Sequence, residues 1–324
     1  MIDRRATLAG LAGLSAAAAA RTPEGTPPTP PDPREELALW PGAPPGLPDV
    51  PPREVVEDRS ADPRQPDRAM YGITRPRLVV FRPARPNGAG LLVAPGGGYA
   101  RVVLDKEGFE IGRWLSARGW TVFVLFYRLP GEGWADRADV PLADGQRAMR
   151  LIRSRAAAYG VNPARLGMMG FSAGGHLCSD LATRFAAPAY RPVDAADRLS
   201  ARPAFFAPIY GVQAMTPDIA HKGSRDLLLG ANPSDALTAA HSPAHNVTAA
   251  TPPCFLVHAE DDPTVSPENS LQLRAACKRA GVLVECHLFA EGGHGFGLRR
   301  AAGKPASAWP ELFAAWSARQ GIGG

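Results

Sequence analysis

Gly170-Phe171-Ser172-Ala173-Gly174 sets a serine between two glycines, the setting of a candidate nucleophile. A serine hydroxyl attacks poorly at neutral pH. It needs a base to take its proton, an acid to hold that base in one tautomer, and N–H donors where negative charge builds on the attacked carbonyl. The chain offers all of these in a fixed order. Pro95-Gly96-Gly97-Gly98-Tyr99 lies upstream, and Asp262 and His294 lie downstream, so the order is glycine loop, serine, acid, histidine. This set of groups suits nucleophilic acyl transfer through a covalent intermediate.

Each partner has competitors. Glu260, Asp261 and Asp262 are adjacent, and Asp262 is preferred because it opens Asp262-Pro263-Thr264-Val265, a turn that presents its carboxylate. Asp261 stays open as an alternative, since neighbours in a turn can face one histidine. Among seven histidines, His294 follows the acid and sits in Gly292-Gly293-His294-Gly295-Phe296-Gly297, whose glycines let the ring reach into a cleft. His176 and His258 read as structural, and His221, His241, His245 and His287 carry no motif. No HExxH or similar spacing is present, so neither a metal nor another cofactor is expected. The oxyanion donors expected are Gly97, Gly98 and Ala173, the last at the start of a helix whose dipole favours negative charge.

An isolated GxSxG also occurs in ordinary turns, so its context has to decide. Apolar runs at Leu78 to Phe81, Leu91 to Ala94, Val122 to Phe126, Leu166 to Met169, Phe205 to Tyr210, Phe255 to His258 and Val284 to Phe289 read as strands. Their apolarity is continuous rather than alternating, which implies burial on both faces. Amphipathic stretches between them predict helices at Glu107 to Arg118, Leu142 to Tyr159, Gly174 to Phe185, Glu268 to Ala280 and Trp309 to Ala318. The expected fold is α/β, a mostly parallel central sheet flanked by helices on both faces. In such a sheet the ligand site lies beyond the carboxyl ends of the strands, where the glycine loop, Ser172, Asp262 and His294 all fall. Tyr99, Tyr127, Trp134, Tyr210 and Phe296 fall near the same edge and are candidates to line a pocket, and the irregular stretch from Gln213 to Ala250 is a candidate cover.

The 324 residues are 45% apolar, enough for one sizeable core. The net charge of +5 comes from arginines interleaved with acids, so no nucleic-acid partner is expected. Residues 1–20 read as a twin-arginine signal peptide, with Asp3-Arg4-Arg5-Ala6-Thr7-Leu8 before an alanine-rich run that is too short and too weakly apolar to span a bilayer. The expectation is export to a periplasm or beyond, without a stable membrane anchor. Residues 21–52 read as a proline-rich linker and N-terminal arm, and residues 53–324 as one domain. The four cysteines have no framework spacing, although Cys254 and Cys286 precede Asp262 and His294 equally and could lie level on neighbouring strands. Adjacent parallel strands suit a disulfide poorly.

Leu39-Trp40-Pro41-Gly42, Pro95-Gly96-Gly97-Gly98-Tyr99, Tyr127-Arg128-Leu129-Pro130, the run from Arg147 to Arg153, Gly170 to His176 and Gly293-His294-Gly295-Phe296-Gly297 resemble secreted α/β-hydrolases grouped with acetyl-xylan and feruloyl esterases. The resemblance covers most of the chain from about Leu39 to Trp316. It implies an α/β-hydrolase fold, Ser172 as nucleophile, Asp262 as acid, His294 as base, and hydrolysis of a short-chain ester on a small molecule or polysaccharide. Pro95 departs from lipase-type relatives, where a histidine precedes the glycines and orients their loop. Two other readings stay open: an exopeptidase of the prolyl-oligopeptidase type, and a non-catalytic binding protein on a hydrolase scaffold.

Overall fold

The computed structural model describes residues 31–323. The expected signal peptide and the first part of the proline-rich stretch lie outside the described residues, as does Gly324.

Each of the seven apolar runs forms a strand. In chain order the described strands are β1 (Glu36–Ala38), β2 (Val55–Asp58), β3 (Arg68–Tyr71), β4 (Arg77–Phe81), β5 (Gly88–Ala94), β6 (Val102–Val103), β7 (Thr121–Phe126), β8 (Val161–Phe171), β9 (Phe206–Ile209), β10 (Cys254–Ala259) and β11 (Val284–Phe289). The α-helices are α1 (Glu110–Ser116), α2 (Val140–Ser154), α3 (Ala173–Thr183), α4 (Lys222–Leu229), α5 (Asp235–Ala240), α6 (Glu268–Arg279) and α7 (Trp309–Arg319). Eight strands make the main sheet in the order β1-β4-β7-β5-β8-β9-β10-β11. From β7 to β11 every pairing is parallel, while β1 and β4 join antiparallel at one edge. β2, β3 and β6 form a small separate sheet.

Successive residues of a strand point to opposite faces, and β8 shows what each face meets. Phe171 packs on Trp309 of α7, with ring centroids 6.1 Å apart. At Gly170, one residue earlier, a Cβ would come 2.8 Å from Cys178 of α3. Helices therefore cover both faces, and strands such as β7 and β10, buried along their whole length, have no polar side to show. No helix among the described residues is long and apolar enough to cross a membrane.

The sheet begins inside the stretch read as an arm. β1 pairs only on the edge, where neighbouring prolines have no ladder bond to lose. Trp40 follows it into the core, its Nε1–H donating to Asp144 Oδ1 at 2.9 Å. Asp144 also receives Nε, Nη2 and the backbone N–H of Arg128, and both side chains are buried. Arg147 completes the dock by donating to the Leu39 carbonyl at 2.8 Å. These contacts account for the Leu-Trp-Pro-Gly, Tyr-Arg-Leu-Pro and Arg147 motifs: they fasten the arm.

Cys254 and Cys286 are not level, since Cys254 pairs with Val284 and Leu256 with Cys286. All four cysteines are free thiols.

Candidate active site

β8 ends at Phe171 and α3 starts at Ala173, so Ser172 alone makes the turn between them. Its backbone is forced to φ 51°, ψ −118°, a conformation that L residues rarely adopt and that stores strain of order 1–3 kcal/mol. The flanking glycines are steric requirements: a Cβ at Gly170 would lie 2.0 Å from the Gly174 carbonyl oxygen, and one at Gly174 would lie 2.1 Å from that of Ala94.

Three loops bring the remaining groups to this turn. His294 Nε2 lies 2.9 Å from Ser172 Oγ, and its Nδ1 lies 2.7 Å from Asp262 Oδ2. An ionised carboxylate only accepts, so Nδ1 carries the proton and Nε2 is left to accept from the serine hydroxyl. Asp262 Oδ1 accepts the backbone N–H groups of Thr264 and Val265 at 2.8 and 2.9 Å, which fixes the turn after β10. Burial alone would push the Asp262 carboxyl up, but hydrogen bonds from His258 and His294 and from the Val265 N–H outweigh it and hold the group below the ordinary carboxylate range. His258 donates Nε2–H to the Val265 carbonyl at 2.9 Å, with Asp262 Oδ2 at 3.3 Å, so it braces the acid. Asp261 points elsewhere. Its Oδ1 accepts the N–H groups of Gly292 and Gly293 at 2.8 and 2.7 Å, tying the histidine loop to the acid loop.

The glycine loop faces this trio. Tyr127 OH donates to the Pro95 carbonyl at 2.8 Å, and the Gly96 N–H donates to Glu107 Oε2 at 2.9 Å, so these two side chains orient the loop that has no histidine at position 95. Gly97 and Gly98 turn the chain at φ 131° and 67°. Among the described residues their N–H groups have no acceptor, and Ala173, first in its helix, has no intrahelical one. A cleft of about 360 Å³ opens over Ser172, Gly97, Gly98 and His294.

The BD-FAE family matches residues 91–277, more than half of the chain, from β5 into α6. The chain belongs to the BD-FAE family. It is similar to the acetylxylan esterase of Xylanibacter ruminicola, 32% identical over 68% of this chain and 44% of that one. It is also similar to endo-1,4-beta-xylanase B of Butyrivibrio fibrisolvens, 34% identical over 70% of this chain and 34% of that one. The chain thus spans less than half the length of these curated relatives. The solved structure of an acetyl ester-xyloside bifunctional hydrolase from Caldicellulosiruptor lactoaceticus superposes with a TM-score of 0.71 at 32% identity, covering 85% of this chain and 100% of that one. A carboxylesterase from Lactobacillus plantarum, 23% identical, gives a TM-score of 0.62 over 85% of this chain and 99% of that one and shares the fold. The fold is that of the α/β-hydrolases.

The pocket aromatics expected from sequence are placed otherwise in this BD-FAE member. Tyr99, Tyr127, Tyr210 and Phe296 are at most 1% exposed, and none lines the cleft. Tyrosines reach inward because a buried hydroxyl finds partners there. Tyr99 OH donates to His176 Nδ1 at 2.7 Å while His176 Nε2–H donates to the His241 carbonyl, and burial pushes that imidazole down to about 4, so it stays neutral. Tyr210 OH donates to Glu107 Oε1 at 3.1 Å, accepts the Gly297 N–H at 3.1 Å, and its ring stands edge-on to His294. Phe296 packs on Tyr210 at 4.5 Å between centroids, and Trp134 is buried too.

The walls come instead from Arg101, Lys106, Glu107, His221 and Leu227. His221 and Leu227 belong to the stretch from Gln213 to Ala250, which carries α4 and α5 and supplies part of the cleft wall. Glu107 was legible only as the first residue of a helix. In fact a π-turn over Asp105–Phe109 precedes α1 and buries all five of its residues. Through Gly96 and Tyr210 that carboxylate connects the glycine loop with the histidine loop. Glu107→Ala would strand two buried donors, cost about 1–3 kcal/mol each in unfolding free energy, and displace the loops enough to lower kcat about 100-fold. Steady-state kinetics beside denaturant unfolding checks this: a positioning role requires the fall in kcat to exceed the change in KM.

Proposed function

We propose that this chain is a serine carboxylic ester hydrolase that removes short acyl groups, acetyl first among them, from small-molecule or polysaccharide esters related to xylan. The observation that carries the reading is the continuous hydrogen-bond chain from Asp262 through His294 to Ser172, opening on a cleft beside N–H groups that have no other acceptor. Similarity to an acetylxylan esterase and to an acetyl ester-xyloside hydrolase supports the substrate class.

Ser172 Oγ attacks the ester carbonyl while His294 Nε2 takes its proton, and the imidazolium that forms is stabilised by Asp262. The carbonyl oxygen, now anionic, receives hydrogen bonds from Gly97, Gly98 and Ala173, each worth roughly 3 kcal/mol in the transition state. The tetrahedral adduct collapses, the alcohol leaves with the proton from His294, and an acyl group stays on Ser172. Water deprotonated by His294 then releases the acid.

A burst of product from 4-nitrophenyl acetate, with a one-acetyl mass increase on the Ser172 peptide and a fluorophosphonate adduct at the same residue, tests this. A folded protein that takes no adduct at Ser172 is the binding-protein reading instead. Cleavage of a peptidyl amide in preference to the acetyl ester is the exopeptidase reading.

The expected signal at residues 1–20 adds export of the folded enzyme, consistent with its free thiols. Lysines at Arg4 and Arg5 should keep the esterase activity in the cytoplasmic fraction of a producing cell, and unchanged release of the enzyme would refute the assignment.

A further inference from the structure

The cleft over Ser172 has more positive charge than a neutral acetyl ester requires. Arg59, Arg101 and Lys106 line it, and Glu107 is the sole acidic residue among the described lining residues. Arg59 is already paired, with Nη2 2.9 Å from Asp67 Oδ1. Arg101 and Lys106 have no carboxylate partner among the described residues.

Both line the same cleft as Ser172 and His294, Arg101 beside the glycine loop and Lys106 beside the histidine loop. Lys106 is 8% exposed, and its Nζ lies 3.2 Å from where a Cβ on Gly295 would stand, one residue past His294. No acceptor for that ammonium is within hydrogen-bond distance among the described residues. Glu107 beside it spends both carboxylate oxygens on the Gly96 N–H and the Tyr210 hydroxyl. Arg101 packs against the glycine loop, its Cγ 2.8 Å from the place of a Cβ on Gly97. Among the described residues its Nε is buried with no partner, and its Nη1 meets the Tyr71 hydroxyl at 3.4 Å. Two cations that line one cleft without a carboxylate partner among the described residues favour an anionic ligand there. Burial also lowers the Lys106 pKa, an effect that an anion at its side would reverse.

We infer that the substrate carries a carboxylate beside its scissile ester, and that Arg101 and Lys106 bind it. This rests on the esterase reading and narrows it to esters of acidic molecules. The carboxylate can belong to the alcohol, as in an acetylated uronic-acid sugar, or to the acyl group, as in a half-ester of a dicarboxylic acid. Arginine supplies a planar fork for its two oxygens and lysine a point charge. A pair of cations in a cleft also raises the local concentration of anionic substrate, an advantage that salt removes.

The test uses two matched pairs of esters on the intact protein. Acetylated methyl glucuronoside is compared with acetylated methyl glucoside, and 4-nitrophenyl hydrogen succinate with 4-nitrophenyl butyrate. The expected result is that one acidic ester exceeds its neutral match in kcat/KM by about tenfold or more at low salt, and which pair shows it tells where the carboxylate sits. Raising the ionic strength should shrink that ratio in the unaltered enzyme, and Arg101→Gln and Lys106→Gln should each lower it about tenfold. Equal turnover within both pairs overturns the inference, as does a ratio that neither variant changes. Loss of acidic and neutral turnover in equal measure in the variants also overturns it, because the cations would then serve the reaction common to all esters. Failure of the unaltered enzyme on every ester refutes the esterase reading itself.

Discussion

Alanine at position 172 is expected to lower kcat on an acetyl ester by about six orders of magnitude. The loss is this large because the three side chains act as one unit: without Oγ, His294 has no proton to take and Asp262 no imidazolium to stabilise. What should survive is a residual rate about a thousandfold above water, since the N–H groups of Gly97, Gly98 and Ala173 do not depend on the serine hydroxyl. The backbone N–H of Ser172, which donates to the Ile209 carbonyl at 3.1 Å, is untouched by the change, so the variant should unfold like the parent. Pre-steady-state absorbance of 4-nitrophenolate, beside a thermal melt, gives both readings. A variant that folds, forms an acyl adduct elsewhere and keeps activity within a hundredfold of the parent would sink the assignment of the nucleophile.

Asp262→Asn is expected to lower kcat by about four orders of magnitude. An asparagine can offer its NH₂ to His294 Nδ1, which moves the ring proton to Nε2 and leaves Ser172 facing a donor instead of a base. Asp261→Asn provides the contrast, since that carboxylate accepts the N–H groups of Gly292 and Gly293 and can hand this task to an amide oxygen. It should cost no more than about tenfold. The reverse ranking would show that Asp261 is the acid. The same substitution has a stability signature. The folded Asp262 carboxyl titrates below its ordinary value of 3.8, so its contribution is fully present above that pH and is lost as the pH falls toward the folded-state value. Asp262→Asn should therefore flatten the acid side of the stability profile between those limits.

Ser172 and His294 stand out in the sequence because glycines surround them and leave a trace wherever chain must approach chain, whereas Asp262 is marked only by the turn that Pro263 opens after it. The strands were legible for a related reason: burial on both faces leaves an unbroken apolar run, as in Thr121–Phe126. Tyr99, Tyr127 and Tyr210 show the limit of such reading. An aromatic ring at a strand end looks the same whether it lines a pocket or turns inward, and the choice is made by partners such as His176, Pro95 and Glu107 that lie far along the chain. β2 leaves no such trace, because Val55–Asp58 is exposed throughout and has no buried side to set a period. Lys106 and Glu107 were hidden by a π-turn, which carries neither the helical nor the strand repeat.

The docked arm bears on how this protein can be shortened. Residue 53, where the proline-rich stretch ends, looks like a natural place to cut, yet a chain starting there lacks Glu36–Ala38 and Trp40. Strand β4 would then present a row of bare amides and carbonyls to solvent, the template on which strands of separate molecules add to one another, and the slot left by the indole would expose apolar surface beside it. Precipitation of such a truncated chain would reflect the loss of its edge cover, with Ser172, Asp262 and His294 unaltered.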